Sequence, residues 1–330
     1  MKQVTGLLGR DALVNQIVQE LRKGKHVLLT GPVGIGKSAV LEAALGKLQG
    51  RERSFPSEAA PSPDTKPSQP RRALTVVHLH DHQAKGQFVA MARQLLMAGI
   101  VKPSALELAQ RYDELPPAEI EWAKVKRTVN RLSIRDLTGA IIPALSAHEG
   151  RVLMAVDDMT RLTPTQQAFW LAIFNQAQVI TCASEKKQGL RKLWWKMKEI
   201  PVPPLTPEAS ADMVRASITQ QGVLIESPEL YVSHVVKQSG GNPQAIDDMV
   251  NDSAKERVVD KRQIREMRHQ AGVRYLDFTP VMMVAGALII GTRYLAIGLG
   301  DTELYILAGM AAALFLSLRF FLFKGAGKAN

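Results

Sequence analysis

Residues 26–38 constrain this chain more than any other stretch. The apolar run His26-Val27-Leu28-Leu29-Thr30 leads directly into Gly31-Pro32-Val33-Gly34-Ile35-Gly36-Lys37-Ser38, a full match to G-x-x-x-x-G-K-[ST]. A short apolar run ending in a glycine-rich turn reads as a buried parallel strand. The helical pattern that follows, 37–48, completes a strand–loop–helix unit. In such a loop the glycines let backbone N–H groups turn inward on phosphate oxygens, and the helix N-terminus adds its dipole. Lys37 then brings a mobile positive charge to the β- and γ-phosphates, and the Ser38 hydroxyl is placed to ligate Mg²⁺.

The pattern beyond that unit is of strands alternating with helices. Strands are expected at 74–79, 152–156, 178–183 and 200–202, with helical stretches between them. This reads as an α/β fold with a parallel sheet covered on both faces. Residues 50–73 are rich in Pro, Ser and charge and read as a flexible excursion inside the domain. After Pro204 the pattern turns purely helical, at about 207–221, 227–238 and 243–254.

A second chemical feature stands at the end of the third strand. Asp157 and Asp158 close the apolar run Val152-Leu153-Met154-Ala155-Val156. Two carboxylates at the end of a buried strand are costly unless a cation needs them. Asp157 suits the Mg²⁺ hydration shell, and Asp158 suits orienting or deprotonating an attacking water.

Together these residues resemble the AAA+ and STAND branch of P-loop ATPases, over roughly residues 4–255. The resemblance implies ATP and Mg²⁺ as ligands and a core sheet of order 5-1-4-3-2. It implies that Leu8-Gly9-Arg10-Asp11 borders the adenine, bringing Gly9 and Arg10 to the nucleotide. Residues 31–38 (Gly31, Pro32, Val33, Gly34, Ile35, Gly36, Lys37 and Ser38), followed by Ala39, bind its phosphates. Ser184 stands where a sensor residue contacts the γ-phosphate or its water. Gly240-Gly241-Asn242-Pro243 begins a lid helix, so Pro243 approaches the nucleotide. An arginine from a neighbouring subunit completes many such sites, with Arg191 the candidate and Arg161 its competitor. Lys37, Asp158, Ser184 and Arg191 are thus the expected catalytic set, and Ser38 and Asp157 the expected metal ligands. Two departures stand out: Asp158 where Asp-Glu is common, and Gln244 where many relatives carry an arginine after the lid proline.

The last fifty residues are different in kind. Residues 280–300 and 304–323 are apolar stretches of the ~20 residues that a ~30 Å hydrocarbon core requires. With Gly298–Glu303 as a tight turn, they are expected to form a transmembrane hairpin, with small faces at Ala287/Gly291 and Gly309/Ala313. Cations crowd the residues before it, and Asp301 and Glu303 occupy the turn, which places both termini on the cytoplasmic side of an inner membrane. The expected division is 1–205 core, 206–255 lid, 256–279 basic juxtamembrane helix, 280–323 hairpin and 324–330 tail.

Charge matters for partners. The chain carries a formal +11, and only four cations and two anions follow Thr279, which leaves about +9 upstream. Such a surface suits nucleic acid or anionic lipid. In Arg191-Lys192-Leu193-Trp194-Trp195-Lys196 cations alternate with aromatics, a pattern that binds nucleic acid, lies in a membrane interface or packs a helix against the sheet or lid. The lone Cys182 fits a reducing compartment. The expected partners are ATP, membrane lipid, further copies of the chain, an unidentified protein and nucleic acid. The expected role is a membrane-anchored ATPase that switches or remodels an assembly. The alternatives are a defence module acting on the membrane and a tethered nucleic-acid-handling ATPase.

Overall fold

The computed structural model describes residues 8–50, 74–81, 83–267 and 279–326, with the side chains of 279–282 and 318–326 left aside. The excursion expected at 50–73 lies almost wholly outside the described residues, as do 268–278 of the juxtamembrane stretch and most of the tail.

Helix α1 (Asp11–Arg22) buries Val14, Ile17, Val18 and Leu21, spacings that return to one face of a 3.6-residue period. Strand β1 (His26–Thr30) follows, with its three central residues buried, and then α2 (Lys37–Leu48). The chain continues through β2 (Leu74–Leu79), α3 (Ala84–Met97), α4 (Trp122–Arg131), α5 (Ile134–Ala147) and β3 (Arg151–Val156). It completes the core with α6 (Pro164–Ile173), β4 (Gln178–Ala183), α7 (Arg191–Trp194) and β5 (Met197–Pro201).

All pairings are parallel and the order is β2-β3-β4-β1-β5, the 5-1-4-3-2 arrangement that the resemblance implies. Strand periodicity divides the apolar residues between two cores. Leu28, Val77, Met154 and Val179 join the cluster that contains α3, α5 and α6, while Val27, Leu29, Leu153 and Ile180 join that of α1 and α2. Each fully buried residue of this size contributes about 1.5–3 kcal/mol, which explains near-continuous apolar strands covered by helices. With every strand running the same way, the carboxyl ends of β1, β3 and β4 open on one edge, where sites in open α/β sheets form.

β2 is the sheet's outer strand on one side, and α3 covers its exposed edge with a side chain. The Gln94 amide donates to the His78 carbonyl at 2.6 Å, and the His78 N–H donates to Gln94 Oε1 at 2.8 Å. Gln94 thereby pairs with the backbone as a neighbouring strand would.

The lid consists of α8 (Pro207–Gln221), α9 (Pro228–Ser239), α10 (Pro243–Ser253) and α11 (Lys261–Glu266). Each of α8, α9 and α10 starts on a proline, and α8 and α9 stop at Gly222 and Gly240 in left-handed geometry. Their shared core includes Met213, Tyr231, Val235, Ile246 and Met249. Val259 and Ile264 also belong to it, so lid packing continues beyond residue 255 into the stretch expected to be juxtamembrane.

The second compact unit spans 273–330. Here α12 (Thr279–Leu299) and α13 (Thr302–Ala326) pack on each other around a turn at Gly300 and Asp301. Asp301 Oδ1 accepts from the N–H groups of Glu303 and Leu304, capping α13. The hairpin expected from the sequence is present, but its spanning role is not supported. No helix is long and apolar enough to cross a membrane among the described residues. The helices run 21 and 25 residues, with side chains described over 283–299 and 302–317. The rest of 280–323 lies outside the residues with described side chains. The helix seam also differs from expectation. Ala287 and Gly291 are exposed, while Gly286 against Phe315, with buried Ala296 and Ala308, forms the contact.

Candidate active site

The loop after β1 is built by its glycines. Gly31, Gly34 and Gly36 have φ of 154°, 79° and 88°, and Gly36 serves as the N-cap of α2 in left-handed geometry. A methyl on Gly34 would stand 2.7 Å from Asn242 Oδ1 and 2.8 Å from Gln244 Cβ. One on Gly36 would stand 2.6 Å from Arg10 Nη1. The loop is therefore closed over from two directions, by the lid and by the residue that precedes α1.

Lys37 folds back into this loop. Its Nζ donates to the carbonyls of Gly31 at 2.8 Å and Pro32 at 2.9 Å, and to Ser184 Oγ at 3.0 Å. Burial pulls its ammonium below the usual lysine range, and the charges of Cys182 and Asp158 oppose that pull. Ser184 follows β4, as the resemblance implies, and its N–H donates to Thr160 Oγ1 at 3.3 Å.

Thr160 is a buried residue that the sequence reading missed. Its N–H donates to Asp158 Oδ1 at 2.7 Å and its hydroxyl donates to the same oxygen. Asp158, Thr160, Ser184 and Lys37 thus form one chain of contacts across the ends of β3, β4 and β1. The spacing D-x-T after a buried strand is an Asx-turn signal that points to it.

Asp157 has different partners. Its Oδ1 pairs with His78 Nε2 at 2.7 Å and its Oδ2 with His80 Nδ1 at 2.8 Å. Burial raises its carboxyl, but the two imidazole hydrogen bonds outweigh that, so the net direction is below the usual carboxylate range. His78 and His80 were also missed. The legible signal was His-x-His at a strand end, since strand alternation puts both on one face.

A cavity of about 390 Å³ joins these parts. It is lined by Val33, Gly34, Gly36, Lys37, Ser38, Ala39, Asp157, Asp158, Ser184 and Gln244. The lid reaches it through the start of α10. Asn242 caps that helix, its Nδ2 donates to the Val33 carbonyl at 2.9 Å, and the Gln244 N–H donates to the Gly34 carbonyl at 3.3 Å.

Other expected residues fall around this cavity. Ile35 is buried beneath the loop. Gly9 takes φ 73° beside Ala209 of the lid, and Arg10 is buried with one hydrogen bond, from Nη2 to the Pro203 carbonyl at 3.2 Å. Pro243 approaches the same side of Gly36 as Arg10 does. Arg191 does not line the cavity. It is exposed at the start of α7 and stacks on Trp195, 4.5 Å from the ring centroid. Arg161 is also exposed and outside the cavity. The two tryptophans divide: Trp194 packs into the core with its Nε1–H donating to the Lys187 carbonyl, while Trp195 is 70% exposed.

A family model described as the AAA ATPase domain matches residues 6–180, more than half of the chain. The chain belongs to that family. The matched region holds the phosphate loop, β2, β3 and the first half of β4 of this AAA ATPase domain. No curated protein matches significantly. Similar solved structures include the Aeropyrum pernix ORC1 protein in complex with DNA, at 14% identity and TM-score 0.49, covering 93% of this chain and 78% of that one. They also include the Walker-type ATPase PABY2304 of Pyrococcus abyssi, at 14% identity and TM-score 0.42, covering 86% and 74%. A Thermotoga maritima RuvB mutant stands at 12% identity and TM-score 0.40, covering 88% and 80%. With TM-scores below 0.5, none of these likenesses bears on what this AAA ATPase domain does.

Proposed function

We propose that this chain binds Mg·ATP at the cavity beneath the lid and hydrolyses it to switch an assembly of proteins. The observation that carries the reading is the convergence on one cavity of a glycine cradle, Lys37 and the two strand-end carboxylates. The residues fit the ligand. The cradle has no room for side chains at Gly34 and Gly36, and the Nε and Nη1 of buried Arg10 have no hydrogen-bond partner.

In this reading the loop N–H groups and Lys37 hold the β- and γ-phosphates, with Lys37 exchanging its loop carbonyls for phosphate oxygens. Ser38 and Asp157 would hold Mg²⁺, which when bound would supply charge neutralisation at the phosphates. Asp158 is kept in place by Thr160, orients the attacking water and accepts its proton. Ser184 touches Lys37 and so links the water side to the phosphate side. Gln244, neutral where an arginine would put a charge on the γ-phosphate, makes turnover slow and suits a switch. Gly9, Arg10 and Pro243 border the rest of the nucleotide. Arg191, with Arg161 its competitor, is exposed and outside the cavity, which supports a role for it at a neighbouring subunit's site in a homo-oligomer.

A membrane role rests on a separate observation. Met283, Leu288, Ile290, Tyr294 and Leu295 of α12 and Leu307, Met310 and Leu314 of α13 are each more than half exposed. An apolar surface of this extent seeks lipid or protein. We propose that it attaches the ATPase to the cytoplasmic face of a membrane, with the upstream positive charge facing anionic headgroups or nucleic acid.

ATP hydrolysis measured against concentration of the detergent-solubilised protein tests the first reading. Specific activity should rise with concentration and fall by about 10²-fold or more in Lys37→Ala. Flat, Lys37-independent activity would contradict it. Flotation with anionic liposomes tests the second, and full-length protein that stays at the bottom of the gradient would contradict it.

A further inference from the structure

Two histidines at the site, His78 and His80, have no part in nucleotide hydrolysis as just described, yet they share a cluster with Asp157. His78 is the penultimate residue of β2, His80 lies two positions on, just past the strand, and Asp157 directly follows the adjacent β3. Register brings them together, since Leu79 pairs with Val156 and the Asp157 N–H donates to the Leu79 carbonyl. The two imidazole rings lie side by side, with centroids 3.9 Å apart. One nitrogen from each and one carboxylate oxygen lie within 4.8 Å of one another.

Each oxygen of the half-buried Asp157 carboxylate takes one imidazole. Here a second imidazole, whose side chain is 64% exposed, is held on the same carboxylate at the cost of its conformational freedom. A divalent cation can use that arrangement, because it would displace the two protons that now bridge imidazole to carboxylate and take the same three atoms, already gathered at one place, as ligands. Metal–nitrogen distances of ~2.0–2.1 Å put ligand atoms on a sphere ~4 Å across, close to the present spread. The strand beneath is fixed: His78's backbone is paired on one side with β3 and on the other with Gln94. Two imidazoles and one carboxylate suit first-row divalent ions, and three protein ligands leave a position open for water.

We propose that His78, His80 and Asp157 form a binding site for a first-row divalent cation of the Zn²⁺ class. Asp157 also lines the phosphate cavity. An ion held by the histidines therefore removes this carboxylate from the Mg²⁺ of bound ATP, and metal occupancy restrains turnover. Binding of the ion does not depend on the ATPase reading above. Its effect on turnover rests on that reading.

The test uses the full chain without nucleotide. Zn²⁺ is titrated by calorimetry, and Co²⁺ is followed by its visible ligand-field bands. One equivalent per chain is expected, weakened at least about tenfold in both His78→Ala and His80→Ala and unchanged in His148→Ala. His80 is the more exposed of the pair, so its variant keeps the test valid if His78→Ala fails to fold; far-ultraviolet dichroism monitors this. No stoichiometric uptake, or uptake unchanged in His80→Ala, would overturn the site. One equivalent of Zn²⁺ is then added to the Mg·ATP assay. Slower turnover in wild type but not in His80→Ala supports the restraint, and undiminished turnover with Zn²⁺ bound refutes it. If the protein shows no turnover without Zn²⁺, the ATPase reading and the restraint fail together while the uptake result stands.

Discussion

The two halves of the site are built by opposite means. On the β1 side the cradle is backbone: three glycines with positive φ, closed by carbonyls that accept from Lys37, Asn242 and Gln244. On the β3 side it is side chain: Asp157 between two histidines, and Asp158 tied to Thr160 and through it to Ser184. A backbone cradle depends on conformation and tolerates no added Cβ. A side-chain network depends on charge and tolerates isosteric changes of shape but not of ionisation.

That contrast can be broken from either side, and the largest effect is expected at Lys37. Lys37→Ala removes the only cation lining the cavity among the described residues, and should cut ATP hydrolysis by about 10²–10³-fold. Steady-state phosphate release checks it.

Gly34→Ala comes next and attacks conformation alone. Its Cβ would meet Asn242 and Gln244 below 3 Å at a φ of 79°. A loss of about 1–3 kcal/mol in stability is expected, with weaker ATP binding as the lid is pushed off the loop. Chemical denaturation and a fluorescent ATP analogue would report both. Asn242→Ala is the milder version. It removes the α10 cap and the bond to the Val33 carbonyl, and should cost about 1 kcal/mol.

Gln244→Arg sharpens the comparison by adding charge to the backbone side. The expected outcome is several-fold faster turnover with no loss of stability, readable in the same phosphate-release assay. The smallest change is expected at Cys182, directly behind the side-chain half. Burial, reinforced by Asp157 and opposed by Lys37, pushes its thiol up to about 12. The sign is clear: the raised value leaves almost no thiolate at pH 8, so iodoacetamide should label Cys182 only after unfolding. Mass spectrometry of the native protein checks this.

The same contrast explains what the sequence made legible. The phosphate loop could be read because its chemistry is local, with eight consecutive residues fixing both conformation and charge. Four of the five strands were placed to within a residue for a similar reason, since apolar runs between turns carry their own signal. The sheet order came from the resemblance, and the register agrees with it. Thr160, His78 and His80 were not found, because their roles exist only once β2, β3 and β4 lie side by side. The lid's extent was underestimated because Val259 and Ile264 stand singly in a charged stretch and bury only through contacts made across the lid. In α12 and α13 apolar content was plain, but which residues form the seam depends on helix rotation. Gly286 meets Phe315 there, while the nearby Ala287 faces outward.

The central claim is that Asp158 serves hydrolysis and the loop serves binding. Asp158→Asn tests it most directly, because asparagine keeps an oxygen for Thr160 while losing the charge. Binding of radiolabelled Mg·ATP and its conversion to ADP would be followed in one single-turnover experiment. The account expects nucleotide bound as in wild type, with conversion slowed by about 10² or more. Wild-type conversion by Asp158→Asn, or loss of binding with its fold intact, would contradict it.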